Sequence, residues 1–484
     1  MGYDVSQLLT NNVQQKIQSQ KSYQKISEYG KIVISKKGWF IRFVILSLAV
    51  LAIAINIQIA LDLEDPLLLY VNLLPFQAMM YLFIGWFFYR NPATGEPGNE
   101  LVSIIIPVYN QESMIELVIE AIYQSTYQNF EVLAVNDGSK DKSGKILDVL
   151  VKKYPNFKVI HKKNDGKRKA VATAFYESKG KFIILIDSDS VIEKHAITEI
   201  MKTFNADPKI GAVVANAKAW NAKKNILTKC QDVWYDYSFN IRKATESVFG
   251  CVLCCSGCLS GYRRKAIENY IPYWVRATIH DSEDRELTSY TIANSWTKKE
   301  FLRHYSHLPK FSHKSLESIS RYDDAEDRSL TAQALPIWKS VYAASATVYT
   351  DVPEKLKGFL RQQQRWKKGT TRVGFFVTSF FWRKNPLIAL IFYTEFMLTF
   401  ISPAILLTMF LYIPLVHNNF SAPLVFLAGM QLTGMAHGID YKLRDHKSET
   451  WIYKPMMNLI TAFLTSWLIF PAMWNYKKNQ WLTR

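Results

Sequence analysis

Apolar stretches near both ends of the chain constrain its fold more than any other feature. Residues 39–61 and 67–89 are two apolar runs, each close to the roughly 20 residues that a helix needs to cross a bilayer. Lysines before the first run, and Arg90 after the second, predict a membrane hairpin with both ends in the cytoplasm. Three further candidate crossings follow near the C-terminus: Pro386–Leu415, Pro423–Ile439 and Pro455–Trp474. The sequence therefore predicts a multi-pass protein of the cell membrane, which has the lipid bilayer as a partner.

Composition divides the chain into five segments. They are a polar cytoplasmic arm (1–38), a transmembrane hairpin (39–90), a charged domain of mixed composition (101–369), an amphipathic helix in the membrane interface (370–384) and a C-terminal membrane region (385–484). The formal charge of +18 fits lysines on the cytoplasmic side of a membrane and anionic substrates. No nucleic-acid-binding motif is present, so we expect no nucleic-acid partner.

The charged domain begins as alternating strands and helices, and one of its strands ends in two acids. Predicted strands at 101–108, 130–135, 158–161 and 182–186 alternate with helices at 112–124, 143–153 and 169–179, which predicts an α/β domain with a parallel sheet wound right-handedly. Asp187 and Asp189 follow a wholly apolar strand and point the same way, because side chains alternate along a strand. Two converging carboxylates at that edge predict a site for Mg²⁺ or Mn²⁺ on a nucleotide diphosphate.

Other polar residues lie at predicted strand or helix ends of the same domain. Tyr109 and Asp137 end two strands, and Asp137 is a candidate acceptor for a uracil or ribose edge, or simply part of an Asp-Gly turn. Lys167 and Arg168 begin a helix after Gly166, where cations suit a diphosphate leaving group; a solvated basic turn is the alternative.

An acidic motif occurs twice in the chain. Asp281–Thr288 reads DSEDRELT and Asp324–Thr331 reads DAEDRSLT. A carboxylate that begins a helix beside an arginine is a candidate general base for a sugar hydroxyl, and only one copy can fill that role. The alternative is a pair of capped helix starts with acids at the positive end of the dipole.

Two more features precede the C-terminal membrane region. Gln362, Arg365 and Trp366 share one side of a predicted helix, where a Trp ring suits a sugar and an Arg suits a pyrophosphate; a basic helix on the membrane surface is the alternative. Four of the five cysteines fall within 251–258. Eight residues can hardly wrap four thiolates around one ion, so free thiols in a tight loop are favoured over a metal site.

Taken in order, these motifs resemble those of the processive family-two membrane glycosyltransferases, which include hyaluronan, chitin and cellulose synthases. The resemblance runs from about residue 101 to 370. It rests on Pro107-Val108-Tyr109-Asn110, Asp137-Gly138, Gly166-Lys167-Arg168, Asp187-Ser188-Asp189, an acidic Asp-Arg motif and Gln362-x-x-Arg365-Trp366. The resemblance implies a GT-A-like, Rossmann-like catalytic domain in the cytoplasm, embedded in a helical membrane bundle.

Within that family, the cysteine-rich loop resembles the priming loop of hyaluronan synthases and rhizobial chitin-oligosaccharide synthases. Cys258 stands where the family has Pro after Ser-Gly. The resemblance implies an acceptor region made of Trp366 and the loop residues Cys254, Cys255, Ser256 and Gly257. It implies a donor region made of Pro107, Tyr109, Asp137, Lys167, Arg168, Asp187, Gln362 and Arg365, with metal at Asp189 and Asp187.

The same resemblance favours the second acidic copy as the catalytic one. Asp327 is followed, in the order that the family shows, by a strand at 341–349, a Thr-x-x-Pro turn and the Gln-x-x-Arg-Trp motif. This predicts Asp327 as the base, with Glu326 and Arg328 beside it and Asp284 as the alternative.

The implied activity is inverting, processive polymerisation of sugars from UDP-sugar donors onto a growing polysaccharide, which is secreted. UDP-GlcNAc, with UDP-glucuronate as a second donor in a hyaluronan-type product, is the best-supported choice. The alternatives are a chitin or chito-oligosaccharide synthase that uses UDP-GlcNAc alone, a lipid-linked glycosyltransferase, and a non-catalytic membrane scaffold.

Overall fold

The structure, a computed structural model, describes residues 34–62, 73–276, 282–293 and 338–474. The predicted acidic turn between the first two apolar runs lies mostly outside these residues. The second acidic motif, with Glu326, Asp327 and Arg328, lies wholly outside them. The first acidic motif is described from Ser282 onwards.

Eight described strands form one mixed sheet in the order β3-β2-β1-β4-β7-β6-β8-β5. The strands are β1 (Val102–Val108), β2 (Phe130–Asp137), β3 (Phe157–Lys162), β4 (Phe182–Leu185), β5 (Ser190–Ile192), β6 (Ile210–Ala219), β7 (Ser260–Arg263) and β8 (Lys339–Thr350). All seven residues of β1 and all four of β4 are buried, as their continuous apolar runs predicted.

The parallel sheet expected from the strand–helix alternation is present for the four strands on which the expectation rested, and the later strands pair in both directions, with β6 and β8 parallel. Strands β3, β2, β1 and β4 are parallel neighbours. Strand β7 runs antiparallel to both β4 and β6, and β5 runs antiparallel to β8. The loop before β7 lies at the carboxyl end of β4, where the Asp187 N–H donates to the Gly257 carbonyl at 3.0 Å. The chain therefore enters β7 from that edge and runs back along β4.

Helices cover the sheet and position the polar residues at its edge. Those of the sheet domain are α1 (Ile115–Tyr123), α2 (Ser143–Lys153), α3 (Lys167–Glu177), α4 (Ala196–Ala206), α5 (Ile226–Asp236), α6 (Ala244–Val248), α7 (Arg264–Ile267), α8 (Ile271–Arg276) and α9 (Glu283–Ile292), with a π-helical turn at Tyr237–Lys243. Helix α3 begins two residues earlier than predicted, because Gly166 takes a left-handed φ of 95° and turns the chain directly into Lys167.

Long apolar helices precede and follow the sheet domain. They are αN1 (Lys36–Asp62), αN2 (Leu73–Phe87), αC1 (Pro386–Leu407, continued by a π-helical turn and Ile413–Val416), αC2 (Ser421–Arg444) and αC3 (Trp451–Trp474, which includes a π-helical turn and 3₁₀ turns). Within the described ranges, four stretches are long and apolar enough to cross a membrane: Lys36–Ile55, Pro386–Val416, Ser421–Arg444 and Trp451–Trp474. The three predicted C-terminal crossings are therefore present as helices; αN2 covers 15 residues of the predicted second crossing, whose residues 67–72 lie outside the described ranges.

One helix joins the sheet domain to this apolar region. It spans Leu356–Phe381, is named αJ here, and contains both the Gln362–Trp366 motif and most of the predicted interface helix. Gly369, where composition placed the end of the catalytic domain, lies buried inside αJ. Composition changes there because αJ leaves the charged site and enters apolar packing, while its backbone continues unbroken.

Buried ion pairs tie the apolar helices to the sheet domain. Asp440 of αC2 is fully buried and accepts from Arg42 of αN1 at 2.7 Å and from Arg444 at 2.8 Å. Arg444 also pairs with Asp236 at the end of α5, through both carboxylate oxygens. The charged segment after residue 439, whose composition is typical of a cytoplasmic loop, begins with buried charges, because αC2 continues to Arg444 and packs on the sheet domain.

Candidate active site

The carboxyl edge of the sheet lines a cavity of about 1540 Å³. Asp187 and Asp189 follow β4 as predicted, and both line this cavity. Asp187 accepts from Lys167 Nζ at 2.6 Å, and the same ammonium pairs with Glu283 at 2.7 Å. Lys167 therefore holds the strand end and the start of α9 together.

Asp284 faces the cavity beside this ion pair. Its Oδ2 accepts from the Gly257 backbone N–H at 3.2 Å and contacts Cys254 Sγ at 3.6 Å. It begins a helix, where the dipole favours a carboxylate. The first acidic motif is thus brought to the two strand-end aspartates.

The pKa values of two neighbouring acids of α9 shift in opposite directions. Burial raises the pKa of Asp284 above its usual range, and the adjacent Glu283 carboxylate raises it further. Burial also pushes the pKa of Glu283 upward, but the Lys167 ammonium outweighs that and leaves the pKa below its ordinary value. Glu283 is consequently held as a carboxylate, while Asp284 is the more basic of the two.

The cysteine-rich loop packs against the start of α9. The Cys255 N–H donates to Thr288 Oγ1 at 2.9 Å, and the Leu253 N–H donates to Glu246 at 3.1 Å. A Cβ on Gly257 would come within 2.9 Å of both Asp187 Oδ1 and Lys167 Nζ, so only glycine fits there. The loop backbone is therefore seated directly on the ion pair.

The loop thiols divide between the cavity and the interior. Cys254 and Cys258 line the cavity, whereas Cys255 is fully buried behind it. Burial, followed by the nearby Asp284, raises the pKa of Cys254 to about 12, which leaves a neutral thiol at neutral pH. Among the described residues, no group of three or more His, Cys, Asp and Glu side chains is arranged to hold a metal ion.

Two residues predicted to contact a nucleotide form hydrogen bonds and ion pairs within the protein. The Asp137 carboxylate accepts from Lys162 Nζ and from the backbone N–H groups of Asp165 and Gly166, all within 3.0 Å, and so fixes the turn before Lys167. Arg168 does not line the cavity; it is buried and donates to Glu286 and to the Trp274 carbonyl at 2.7 Å.

Trp366 lines the same cavity from αJ. Its ring stacks on Trp234 of α5, with centroids 5.4 Å apart and planes 11° from parallel. Gln362 and Arg365 line the cavity on the same helix. The Gln362 Oε1 atom is buried and has no hydrogen-bond partner among the residues that the structure describes, so it is available to a ligand.

The cavity does not stop at the sheet domain. It continues between αC1, αC2 and αC3, where hydroxyl and amide side chains line it. These include Thr399, Ser402, Thr433, Asn458, Thr461, Thr465 and Ser466. Polar side chains inside an apolar helical region mark a path for a polar ligand.

Most of the predicted site residues meet in this one cavity. Those that line it are Pro107, Tyr109, Asp137, Lys167, Asp187, Asp189, Cys254, Ser256, Gly257, Asp284, Gln362, Arg365 and Trp366. Glu283, Lys243 and Trp234 also line it, and the motif analysis did not assign them. Glu283 stands inside the quoted acidic motif, so its position was a usable signal; Trp234 lies in an ordinary amphipathic helix that offers none.

Comparison with known proteins gives a family match and several relatives. Residues 103–271 match the family model described as glycosyl transferase family 2. The chain is 27% identical over 417 residues to the hyaluronan synthase of Streptococcus pyogenes serotype M1, covering 83% of this chain and 87% of the relative. It is 28% identical over 293 residues to the N-acetylglucosaminyltransferase of Rhizobium meliloti strain 1021, covering 60% of each.

One solved structure supports the fold. The mannosyltransferase PcManGT from Pyrobaculum calidifontis, in complex with GDP-Man and Mn²⁺, superposes with a TM-score of 0.50. It is 15% identical and covers 89% of this chain and 99% of its own, so the likeness concerns the fold alone.

Residues 103–271 therefore match a family-two glycosyltransferase domain and lie on a GT-A-like sheet, and the family match and the relatives support a glycosyltransferase activity. Its relatives include hyaluronan synthases and rhizobial N-acetylglucosaminyltransferases, in agreement with the resemblance that the ordered motifs predicted.

Proposed function

We propose that this protein is a membrane-embedded, processive, inverting glycosyltransferase that builds a polysaccharide from UDP-sugars and passes it through its membrane helices. UDP-GlcNAc is the donor, with UDP-glucuronate as the second donor of a hyaluronan-type polymer. The observation that carries the proposal is the single cavity, which joins the sheet-edge carboxylates, Trp366 and the polar side chains of αC1 to αC3.

The donor fits the part of the cavity at the carboxyl edge of the sheet. Pro107, Tyr109 and Asp137 line the far end of that edge, where the uridine would lie. Lys167 and Arg365 provide positive charge for a diphosphate, and Lys167 is held in place by Asp187 and Glu283.

The donor set at this edge fits a divalent cation only together with a substrate. Asp187 and Asp189 supply two carboxylates, and Mg²⁺ characteristically uses one or two carboxylates plus phosphate oxygens. When bound there, Mg²⁺ or Mn²⁺ would offset the charge that builds up on the departing UDP. The Mn²⁺ in the complex of the Pyrobaculum mannosyltransferase is consistent with this assignment.

Asp284 is the general base that the geometry supports. It faces the cavity, its pKa is raised, and Gly257 N–H positions one of its oxygens. Its carboxylate takes the proton from an acceptor hydroxyl as that oxygen attacks the anomeric carbon and the bond to UDP breaks. Asp327, which the family order favoured, lies outside the described residues, so the choice between the copies is made by experiment.

The acceptor end is placed against Trp366. A stacked pair of indoles, backed by α5, gives a sugar ring a flat apolar surface of fixed orientation. Cys254, Ser256 and Gly257 of the loop form the opposite wall. The catalytic domain would face the cytoplasm, where UDP-sugars are made.

A donor-dependence assay tests the proposal. Purified full-length protein is given labelled UDP-GlcNAc with and without UDP-glucuronate, and both UDP release and polymer size are measured. A hyaluronan-type synthase makes long polymer only with both donors, whereas a chitin-type synthase does so with UDP-GlcNAc alone. Label that extracts into organic solvent with lipid would identify a lipid-linked product, and absence of UDP release with any donor would contradict the proposal.

A further inference from the structure

Beyond Trp366, the cavity contains a histidine whose hydrogen-bonding groups have no partner. His437 of αC2 is 6% exposed and lines the cavity. Neither of its ring nitrogens has a hydrogen-bond partner, and its only close aromatic neighbour among the described residues is Tyr237, with ring centroids 4.6 Å apart. A buried imidazole with two unmet nitrogens carries a free-energy cost that a polar ligand would remove.

A buried lysine stands beside this histidine. Lys454, at the start of αC3, is 4% exposed, lines the same cavity and places Nζ 4.4 Å from the centroid of the Tyr237 ring. The His437 ring lies against the same Tyr237 ring, with centroids 4.6 Å apart. Tyr237 thus packs against both polar groups and holds them on one wall.

The neighbouring carboxylates are engaged elsewhere. Asp440 is held by Arg42 and Arg444, and both oxygens of Asp236 are held by Arg444. Within the described part of the chain, no carboxylate forms an ion pair with Lys454. A buried ammonium without a carboxylate partner in an apolar helical region is rare, because desolvation of the charge is costly.

From this arrangement we propose that Lys454, His437 and Tyr237 form a binding subsite for a sugar carboxylate of the growing polymer. Lys454 pairs with the uronate carboxylate, His437 hydrogen-bonds an adjacent hydroxyl or carboxylate oxygen, and Tyr237 packs on the sugar ring. The inference rests on the function proposed above and extends it: the structure favours an anionic, uronate-containing polymer over a neutral one.

The position of the subsite fits a sugar that has already been added. Tyr237 directly follows α5, which carries Trp234 beneath Trp366, and Asn458 and Thr461 continue from Lys454 along the αC3 wall at helical spacing. The subsite therefore lies between the stacked rings of Trp366 and Trp234 and the polar side chains that line the cavity between αC1, αC2 and αC3.

Binding of two oligosaccharides to the full-length protein in detergent tests the inference. The probes are a hexasaccharide of alternating N-acetylglucosamine and glucuronate, and chitohexaose, which is neutral. We expect Lys454→Gln to weaken binding of the uronate probe by about tenfold or more, as for loss of a hydrogen bond to a charged group, and to change chitohexaose binding far less. Lys454→Arg retains the charge and should restore most of the affinity.

A matched lysine serves as the control. Lys229 packs over the ring of Tyr453 at 5.2 Å, next to the same helix, but does not line the cavity. Lys229→Gln should leave binding of both probes unchanged. His437→Phe, which removes no lysine charge, gives a second route if Lys454→Gln does not fold, and salt should weaken uronate binding to the unaltered protein selectively.

Equal loss of both probes in Lys454→Gln, or unchanged uronate binding in either variant, would overturn the subsite. Failure of the proposed function is distinguishable, because it would appear as no UDP release from the unaltered protein with any donor, alone or in combination. UDP release with no preference for the uronate probe would leave the enzyme in place and remove only the subsite.

Discussion

Single side chains at the start of α9 show how neighbouring residues of the same chemistry take different roles. Glu283 is bound by Lys167 at 2.7 Å and stays ionised, whereas the partly buried Asp284 lies next to that negative charge and becomes more basic. A more basic carboxylate is a better proton acceptor at neutral pH, provided that it is deprotonated there.

Asp284→Asn should lower polymer synthesis by roughly 10²–10⁴-fold, since a general base typically contributes that much. UDP binding should be nearly unchanged, because Asn keeps the shape and Lys167 is still held by Asp187 and Glu283. Labelled polymer and equilibrium UDP binding are the measurements. Asp327→Asn is the paired variant: if it abolishes synthesis while Asp284→Asn does not, the base is in the second acidic motif.

Glu283→Gln should move the acidic limb of the pH–rate profile to lower pH. Asp284 must be deprotonated to act, so its raised pKa makes activity fall at a higher pH than for an ordinary aspartate. Removing the neighbouring negative charge lowers that pKa and extends activity toward acid. The profile of kcat/KM against pH measures this, with exposed Asp148→Asn as the control; a limb that stays in place or moves upward contradicts the assignment.

Whole elements are positioned by contacts that no motif reveals. Helix α3 presents Lys167 to the cavity and Arg168 to the interior, where Arg168 pairs with Glu286 of α9 at 2.7 Å and packs over Trp274. The pair fixes α3 against α9, and so fixes the distance between the basic turn and the acidic motif.

Arg168→Met should destabilise the protein by about 3–5 kcal/mol, because it leaves the Glu286 carboxylate buried without its partner. Thermal unfolding in detergent measures this. Lys158→Met is the matched control: its pair with Glu177 is exposed on both sides, so we expect a change of about 1 kcal/mol or less. Equal effects of the two variants would show that Arg168 does not join the helices.

The sequence predicted some of this arrangement well, for physical reasons. An apolar run that fills both faces identifies a buried strand, so Asp187 and Asp189 were placed correctly at the end of β4. The sequence could not predict that Arg168 points into the interior while Lys167 lines the cavity, because two adjacent cations at a helix start are alike in sequence. The antiparallel direction of β7 depends on where the cysteine-rich loop docks, which is a tertiary contact. The sequence also left two similar acidic motifs as candidates for the base; the first meets the sheet edge, and the second lies outside the described residues.

For the molecule as a whole, the sheet domain and the apolar helices are joined by buried charge. Arg42 of αN1, Asp440 and Arg444 of αC2, and Asp236 of α5 form one continuous network, with the Arg42 guanidinium also packed against Trp39 and Trp86. The network holds αN1 against αC2 and αC2 against the sheet domain, which keeps the cavity continuous across the junction.

Arg42→Met should lower the melting temperature clearly, since Asp440 stays buried with one cation in place of two; roughly 3–5 kcal/mol is expected for a broken buried pair. The double variant Arg42→Met/Asp440→Asn should be less destabilised than Arg42→Met alone, because the buried negative charge is removed with its partner. Glu449→Gln, in an exposed pair with Lys223, is the control. Additive effects in the double variant would show that the two residues do not couple.

Helix αJ is one continuous helix of 26 residues that connects the region of Trp366 to the apolar helices. At about 1.5 Å per residue it spans roughly 39 Å. Trp366 lies in the first half of αJ, and the second half of αJ packs on αC1 and αC3. In an unbroken helix of this length, a rotation at one end displaces the residues near the other end. Because αJ carries Trp366 and also packs on αC1 and αC3, a change in the position of those two helices is expected to move the indole against which the acceptor sugar is placed.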